Sequence, residues 1–459
     1  MLRRSLFTVS LTMIMHCAAA QPIPEAGDAW QAAYAVDMQS GEVLYDYNAS
    51  LPMTPASMTK LFTTAAALEL LGDTARITTR ACYDPDGQCL YIIGHSDPTF
   101  DSQYYRWHSA AAFADKIANA LSTAQVNSLR AVHADCGYIG GAPYPSARLW
   151  DDMGNYYGAT PRALNYSDNT FLLKLNSPAR VGELCTVAAV EPPVGHTMEC
   201  YCRSYAGRRD SAYIYGVADG GWYVSGAIPA GRTDFVVKGA MPRPELEFCR
   251  AVAAQLRKRG INITDEVSVA TCPTAAKQIA AAQSPTIAAI VKSTNQHSIN
   301  LYADALLLQL TDSIALWDAC LHRLREFVVR STGRDAVLCD GSGLSPRNAI
   351  TARQFADLLL YMDRSQRKQA FFNSLAVSGQ DGTLRNFAKG TRLEGRIKAK
   401  SGTLTDALGY AGIVDSGDRR IAFCIIVNKQ NTRNDVIRKA ITRWLLRLTD
   451  SNINANTLY

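Results

Sequence analysis

Beyond its first twenty residues the 459-residue chain has no apolar run long enough to cross a bilayer, no low-complexity tract and no single-sign block of charge. A membrane-spanning helix needs about 20 apolar residues in succession, so no transmembrane anchor is expected. Charged residues make up only 19% of the chain and the net charge is +6, which includes Arg3 and Arg4. So mild an excess argues against nucleic acid as a partner, although a basic tilt suits residence near an anionic polymer. No recognised zinc spacing occurs. Cys185, His196, Cys200 and Cys202 could together hold a metal, but disulfides or core thiols are the expected state, and neither metal nor cofactor is assigned.

What is present begins with a leader. Arg3-Arg4, the short apolar stretch "LFTVSLTMIM" and "AAA" before Gln21 have the layout of a cleaved secretory signal. A lipoprotein leader is the alternative, because Cys17 follows the apolar run; His16 stands where a small residue would be required. The protein is therefore expected to be exported. Loss of the leader removes Cys17 from twelve cysteines and leaves eleven. Disulfides persist outside the cytoplasm, yet an odd number leaves at least one thiol free or intermolecular. Cys82 and Cys89 flank "YDPDGQ" and could staple a hairpin, and Cys424 in "IAFCIIV" reads as a buried strand thiol.

The length implies two or three domains. "AAYAVDM" and "EVLYDY" read as a hairpin around "QSG". In "TPASMTK", Thr54 is the expected N-cap and Pro55 the first helical residue of a helix running through "LFTTAAALELL" to Gly72. From about 80 to 285 the texture turns to short strands, glycines, prolines and cysteines, with helices near Ala110–Ser122 and Pro244–Arg259. Helical periodicity then returns through Leu360. Three strands, "GRIKAKSGTL", "ALGYAGIVD" and "RIAFCIIVN", and the amphipathic "DVIRKAITRWLLRLT" close the chain. The pattern predicts one α/β (α+β) domain interrupted by inserted material.

Ser57 and Lys60 stand one helical turn apart on one face. A serine hydroxyl needs a neighbouring base to act as a nucleophile, and a lysine desolvated by an apolar helix can lose its proton and serve as that base. The same spacing at Ser365–Lys368 lies among charges and reads as a solvated helix end. Lys400-Ser401-Gly402 on a late strand offers a cation, a hydroxyl and close backbone approach, which suits an anion-docking edge. Ser-x-Asn occurs at Ser167–Asn169, Ser293–Asn295 and Ser298–Asn300, so alone it discriminates little.

The order Ser-x-x-Lys, Ser-x-Asn, Lys-Ser-Gly is similar to the three-motif set of penicillin-recognising enzymes. With "PASMTK", "SINLYADALL", "DGSGLS", "SGQDGTLRN", "KGTRLEGRIKAKSGTL" and "WDDM…YYGA", nearly the whole mature chain resembles the D-alanyl-D-alanine carboxypeptidases/endopeptidases with large insertions (penicillin-binding protein 4 type, peptidase family S13). The resemblance is strongest around the motifs. It implies a penicillin-binding/β-lactamase-like transpeptidase domain with an antiparallel sheet flanked by helices. The expected segments are a signal at 1–20, a catalytic domain at 21–80 and 285–459, an inserted domain at 81–160 and 236–284, and a nested domain at 161–235. It also selects Ser298 and Asn300, because they run into Leu301, Tyr302, Ala303 and Asp304.

On this resemblance Ser57 is the nucleophile, Lys60 the general base and Ser298 a proton relay. Asn300 holds the substrate peptide. Lys400, Ser401, Gly402 and Thr403 form the carboxylate-binding edge, and the backbone N–H groups of Ser57 and Thr403 form the oxyanion hole. Lys-Ser-Gly stands where Lys-Thr-Gly is commoner; either hydroxyl can bond a carboxylate. Asp152 matches the family acid that binds the amino end of a diaminopimelate side chain, with Asp151 and a plain solvated loop as alternatives. "DGSGLSP" at 340–346 reads as a supporting turn, and "GQDGTL" at 379–384 carries no assigned role. The implied substrates are peptidoglycan stem peptides, with β-lactams as covalent inhibitors. The competing readings are a serine β-lactamase or Ser-Lys esterase, and an inactive wall-binding or β-lactam-sensing protein. No glutamate identifiably placed to activate a deacylating water is present, which argues against the β-lactamase.

Overall fold

The computed structural model describes residues 22–195, 197–216, 221–311 and 313–450. The predicted leader with Cys17, and His196 of the conceivable metal set, lie outside them. The first hairpin forms as β1 (Trp30–Asp37) and β2 (Val43–Tyr47). The central helix α1 covers Lys60–Leu71, followed by α2 (Ile287–His297), α3 (Asn300–Leu308) and α4 (Ala352–Arg364). Strands β3 (Ile397–Leu404), β4 (Ala407–Asp415) and β5 (Arg420–Asn428) precede α5 (Asn434–Leu448).

An antiparallel sheet in the order Ala376–Val377, β3, β4, β5, β1, β2 joins the two ends of the chain. The uninterrupted apolar run in β5 follows from burial on both faces. Ala422, Cys424 and Ile426 face a core shared with α1, α2, α3 and α4, whereas Ile421, Phe423, Ile425 and Val427 face α5. Side chains alternate across a strand, so only a strand covered on both sides is apolar at every position. Cys424 is the buried strand thiol its sequence suggested. Helix α1 is buried from Lys60 through Leu68, as expected of a helix apolar all round.

Two further cores lie in the middle of the chain. One backs a five-stranded sheet and combines residues from Ala81 to Leu164 with others from Phe248 to Ala282. The other lies between Phe171 and Val237 and joins two three-stranded sheets. Among the described residues, no helix is long and apolar enough to cross a membrane.

Three local expectations are corrected. Thr54 does not cap a helix: its Oγ1 donates to Pro346 O (3.1 Å), and its backbone pairs with the Asn428 amide. These bonds pin the segment before Ser57 to the end of the sheet, and Ala56–Thr59 forms a 3₁₀ turn ahead of α1. The helical stretch after 285 breaks at Ser298, which adopts left-handed geometry (φ 59°) between α2 and α3. Cys82 and Cys89 are not bridged. Register places Cys82 opposite Tyr91 and Cys89 opposite Asp84, and the described cysteines are all thiols. Cys82 instead makes a side-chain hydrogen bond with Cys272.

Candidate active site

Ser57 lies in the 3₁₀ turn immediately after Ala56, a non-glycine residue at φ 50°. An L-residue is rarely left-handed, and such strain persists only where the surroundings over-determine it. Here they do, through two close backbone approaches. A Cβ on Gly402 of β3 would lie 2.5 Å from Pro55 O, and one on Gly343 would lie 1.9 Å from Ala56 O. Both positions therefore require glycine, and the turn carrying Ser57 is clamped between β3 and the 340–346 loop.

Lys60 is completely buried. Its Nζ donates to Ser57 Oγ (3.0 Å), Asn300 Oδ1 (2.6 Å) and Ser342 O (2.5 Å). Burial lowers its pKa to about 7; Asp304 and Asp340 oppose the fall, and Arg148 assists it. A lysine so placed is half deprotonated near neutrality and bonded to a serine hydroxyl. That is the arrangement a general base requires.

Ser298 and Asn300 reach the same place because of the helix break. The left-handed Ser298 ends α2, and Asn300 begins α3. Lys400 Nζ donates to Ser298 Oγ (2.8 Å) and Ser401 O (2.8 Å), giving a second serine–lysine pair. Lys400 is also fully buried, and desolvation together with the charge of Lys60 holds its pKa well below the ordinary lysine value. Beyond Ala399, where Ala376 pairs with β3, the strand has an open outer edge among the described residues. Ser401 Oγ donates to Thr383 Oγ1 (2.9 Å), so the "GQDGTL" segment touches the site after all.

Asp152 is half-buried in the short helix Trp150–Met153. Burial and neighbouring Asp151 raise its pKa; Arg148 and a hydrogen bond from the Tyr157 hydroxyl oppose the rise. Tyr157 links it to the centre, because Asn300 Nδ2 donates to Tyr157 O (2.8 Å). Asp151 is exposed. The rival motifs lie elsewhere. Lys368 is ion-paired with Asp363, and Ser365 Oγ donates a hydrogen bond to the Glu69 carboxylate; Ser293 meets Tyr105, and Asn295 is bonded to Thr64 and Ser374.

Residue-by-residue reading missed Arg148. Its Nη2 donates to Asp304 Oδ2 (2.8 Å), both side chains being inaccessible, while Asp304 Oδ1 accepts from Gly341 N (3.0 Å). Asp340 then accepts from Gly343 N and Ser345 N, folding the loop whose Ser342 carbonyl meets Lys60. Arg148 stands four residues before Asp152 in the "WDDM" stretch, which was the available signal. Cys185 and Cys202 are buried in the core between Phe171 and Val237, and no cluster of metal-ligating side chains occurs among the described residues.

The chain as a whole is similar to known proteins. Residues 15–448 match the model of the D-Ala-D-Ala carboxypeptidase 3 (S13) family. A D-alanyl-D-alanine carboxypeptidase of Actinomadura sp. is 28% identical over 429 residues, covering 86% of this chain and 76% of that protein. The crystal structure of penicillin binding protein 4 from Haemophilus influenzae superposes with a TM-score of 0.78 at 18% identity, over 94% of this chain and 98% of the other. The same protein complexed with a β-lactam gives 0.75 at 18% identity, with the same coverage. At those identities the two structures establish the fold, including the antiparallel sheet flanked by helices.

Proposed function

The chain belongs to the D-Ala-D-Ala carboxypeptidase 3 (S13) family, and we propose on that premise that it cleaves peptidoglycan stem peptides after D-alanine through an acyl-enzyme on Ser57. It is a serine-type D-Ala-D-Ala carboxypeptidase, and β-lactams acylate the same serine. The observation that carries the assignment of residues is the buried Lys60 ammonium bonded to Ser57 Oγ.

Neutral Lys60 takes the Ser57 proton as Oγ attacks the carbonyl between the two D-alanines. Backbone N–H groups of Ser57 and Thr403 stabilise the tetrahedral oxyanion. Ser298, bonded to Lys400, passes a proton to the departing amine. Asn300 orients the substrate amide, and Lys400 with the hydroxyls of Ser401 and Thr403 holds the terminal carboxylate. Burial disfavours the Lys400 charge; an arriving carboxylate favours it by supplying the counter-charge. Water then releases the acyl group. Asp152, presented beside Tyr157, would receive the amino end of a diaminopimelate side chain.

The leader at 1–20 would direct export to the periplasm. We also assign residues 21–80 and 285–459 to the catalytic domain, 81–160 and 236–284 to the inserted domain, and 161–235 to the nested one. The presence of two separate middle cores supports a division of this kind.

The test is a product assay with purified protein, a diaminopimelate pentapeptide and penicillin. D-alanine release together with a persistent penicilloyl adduct supports the reading. Rapid penicillin hydrolysis with an intact peptide would make the protein a β-lactamase, and no adduct and no product would leave a wall-binding role.

A further inference from the structure

We propose that Cys82 and Cys272 form a disulfide bond that closes residues 82–272 into a covalent ring. The inference rests on the export proposed above and assigns a modification site that lies apart from the Ser57 centre.

The five-stranded sheet runs in the order Ser268–Val269, Ala131–Asp135, Cys89–Ile93, Thr78–Asp84, Lys277–Gln283. Its two outermost strands follow one another in sequence, so segment 270–276 must carry the chain from one edge of the sheet to the other. Four strand spacings amount to about 19 Å, and the chain from Val269 to Lys277 reaches at most about 28 Å. So short a strap has no length for a detour and passes directly over one face. Its contacts identify that face. Ala270 and Cys272 pack against Cys89, Tyr91 and Ala131, whereas Leu90, Ile92, Val132 and Ala134 point into the core on the other side. Cys272 N donates to Asp135 Oδ2 (2.8 Å), which fixes the middle of the strap.

Register selects the partner. Cys82 stands directly across from Tyr91 on the neighbouring strand, so both side chains leave the face that the strap covers. Its thiol meets that of Cys272 in a hydrogen bond. Cys89 is the rival on this face, but its thiol donates to Gly87 O (3.1 Å) and accepts from Arg130 Nη2 (3.5 Å). Cys82 is buried and Cys272 is partly exposed, so an oxidant meets Cys272 first. With glutathione disulfide as oxidant, the Cys272 thiolate attacks one sulfur and expels a glutathione thiolate. Cys82, on losing its proton, attacks Cys272 Sγ and expels the second. Two protein thiols are oxidised to one disulfide, and the oxidant is reduced to two glutathione thiols that take up the two protons. Outside the cytoplasm such a bond persists. It would hold the two ends of the middle segment together even after a cut between them.

The test treats the purified mature protein with glutathione disulfide, blocks the remaining thiols, digests with trypsin in the absence of reductant and maps the linked peptides. The bond should join peptide 81–106 to peptide 260–277. Cys89 shares the first of these, so the linkage should persist in Cys89→Ser and vanish in Cys82→Ser. Reductant should lower the melting temperature of the oxidised wild type by about 5–10 °C more than that of Cys272→Ser. Should the variants fail to fold, fragmentation of the linked wild-type peptides alone locates the bond. A Cys89–Cys272 linkage, glutathione retained on Cys272, or two free thiols after oxidation would overturn the inference. The export reading fails separately: a linkage that forms in the purified protein but is absent from protein taken directly from the cells that make it would overturn export and leave the pairing supported.

Discussion

Replacing Asp304 by asparagine should make Lys60 a weaker base that is available at lower pH. Asp304 holds the Lys60 pKa up, whereas Arg148 pushes it down. Removing the carboxylate deletes the first influence and leaves the second without its counter-ion, so both changes have the same sign. Between neighbouring buried side chains a unit charge acts with about 1–2 kcal/mol at an effective dielectric of roughly 20, which corresponds to about one pKa unit. With the Lys60 pKa moved from about 7 to ~6, the free-base fraction at pH ~6.5, above the value of about 6 to which burial raises Asp304, rises from ~24% to ~76%. A base weaker by one unit loses about threefold in intrinsic rate. Acylation of Asp304→Asn by penicillin should therefore nearly equal wild type near pH ~6.5 and be about threefold slower near pH ~8, with its acid limb displaced to lower pH. The assay is the second-order rate constant of acylation, measured from pH 5 to pH 9 with a fluorescent penicillin. The variant should also lose about 3 kcal/mol of stability, because Arg148 is left buried without its partner; thermal melts at each pH confirm that folded protein is being assayed. An acid limb that stays in place or moves to higher pH would refute the assigned roles of Asp304 and Lys60.

Asp152→Asn should lower kcat/KM for peptides with a free amino side chain by about 10- to 100-fold, the worth of one charged hydrogen bond, while penicillin acylation changes less than about twofold; steady-state kinetics on both substrates check this. Gly402→Ala forces a Cβ against Pro55 O and should cost about 1–3 kcal/mol of stability. It should slow acylation by about 100-fold as β3 moves away from Ser57, measured by melts and stopped-flow labelling. Lys60→Met should be inactive, and its stability relative to wild type should depend on pH. Between pH ~7 and ~10 the unfolded wild type holds the Lys60 proton that the native state has lost, so wild-type stability rises with pH there. Any advantage of the methionine variant shrinks across that window, and denaturant titrations at several pH values would reveal it.

Much of the site was legible because its chemistry is local in sequence. Ser57 and Lys60 are one turn apart, Lys400 to Thr403 share a strand, and β5 announces its two buried faces by its unbroken apolar run. What the sequence concealed depends on contacts between distant segments. Arg148 meets Asp304 across 156 positions, and no periodicity marks such a pair. Thr54 offers a good capping hydroxyl, but Asn428 and the Pro346 carbonyl compete for its polar groups and win. The break at Ser298 was hidden because the sequence around it favours helix on both sides. Only the structure shows that a left-handed residue directs Ser298 and Asn300 toward Lys400 and Lys60. The Cys82–Cys89 staple failed for a similar reason, since strand register, not loop length, decides which side chains face each other.

The central claim is that Ser57 is the nucleophile, and mapping the penicilloyl adduct tests it most directly. Digesting penicillin-treated protein with trypsin should place the added mass on Ser57, within the peptide ending at Lys60, with none on Ser57→Ala. An adduct on Ser298 or any other residue, or one that persists in Ser57→Ala, would contradict the account.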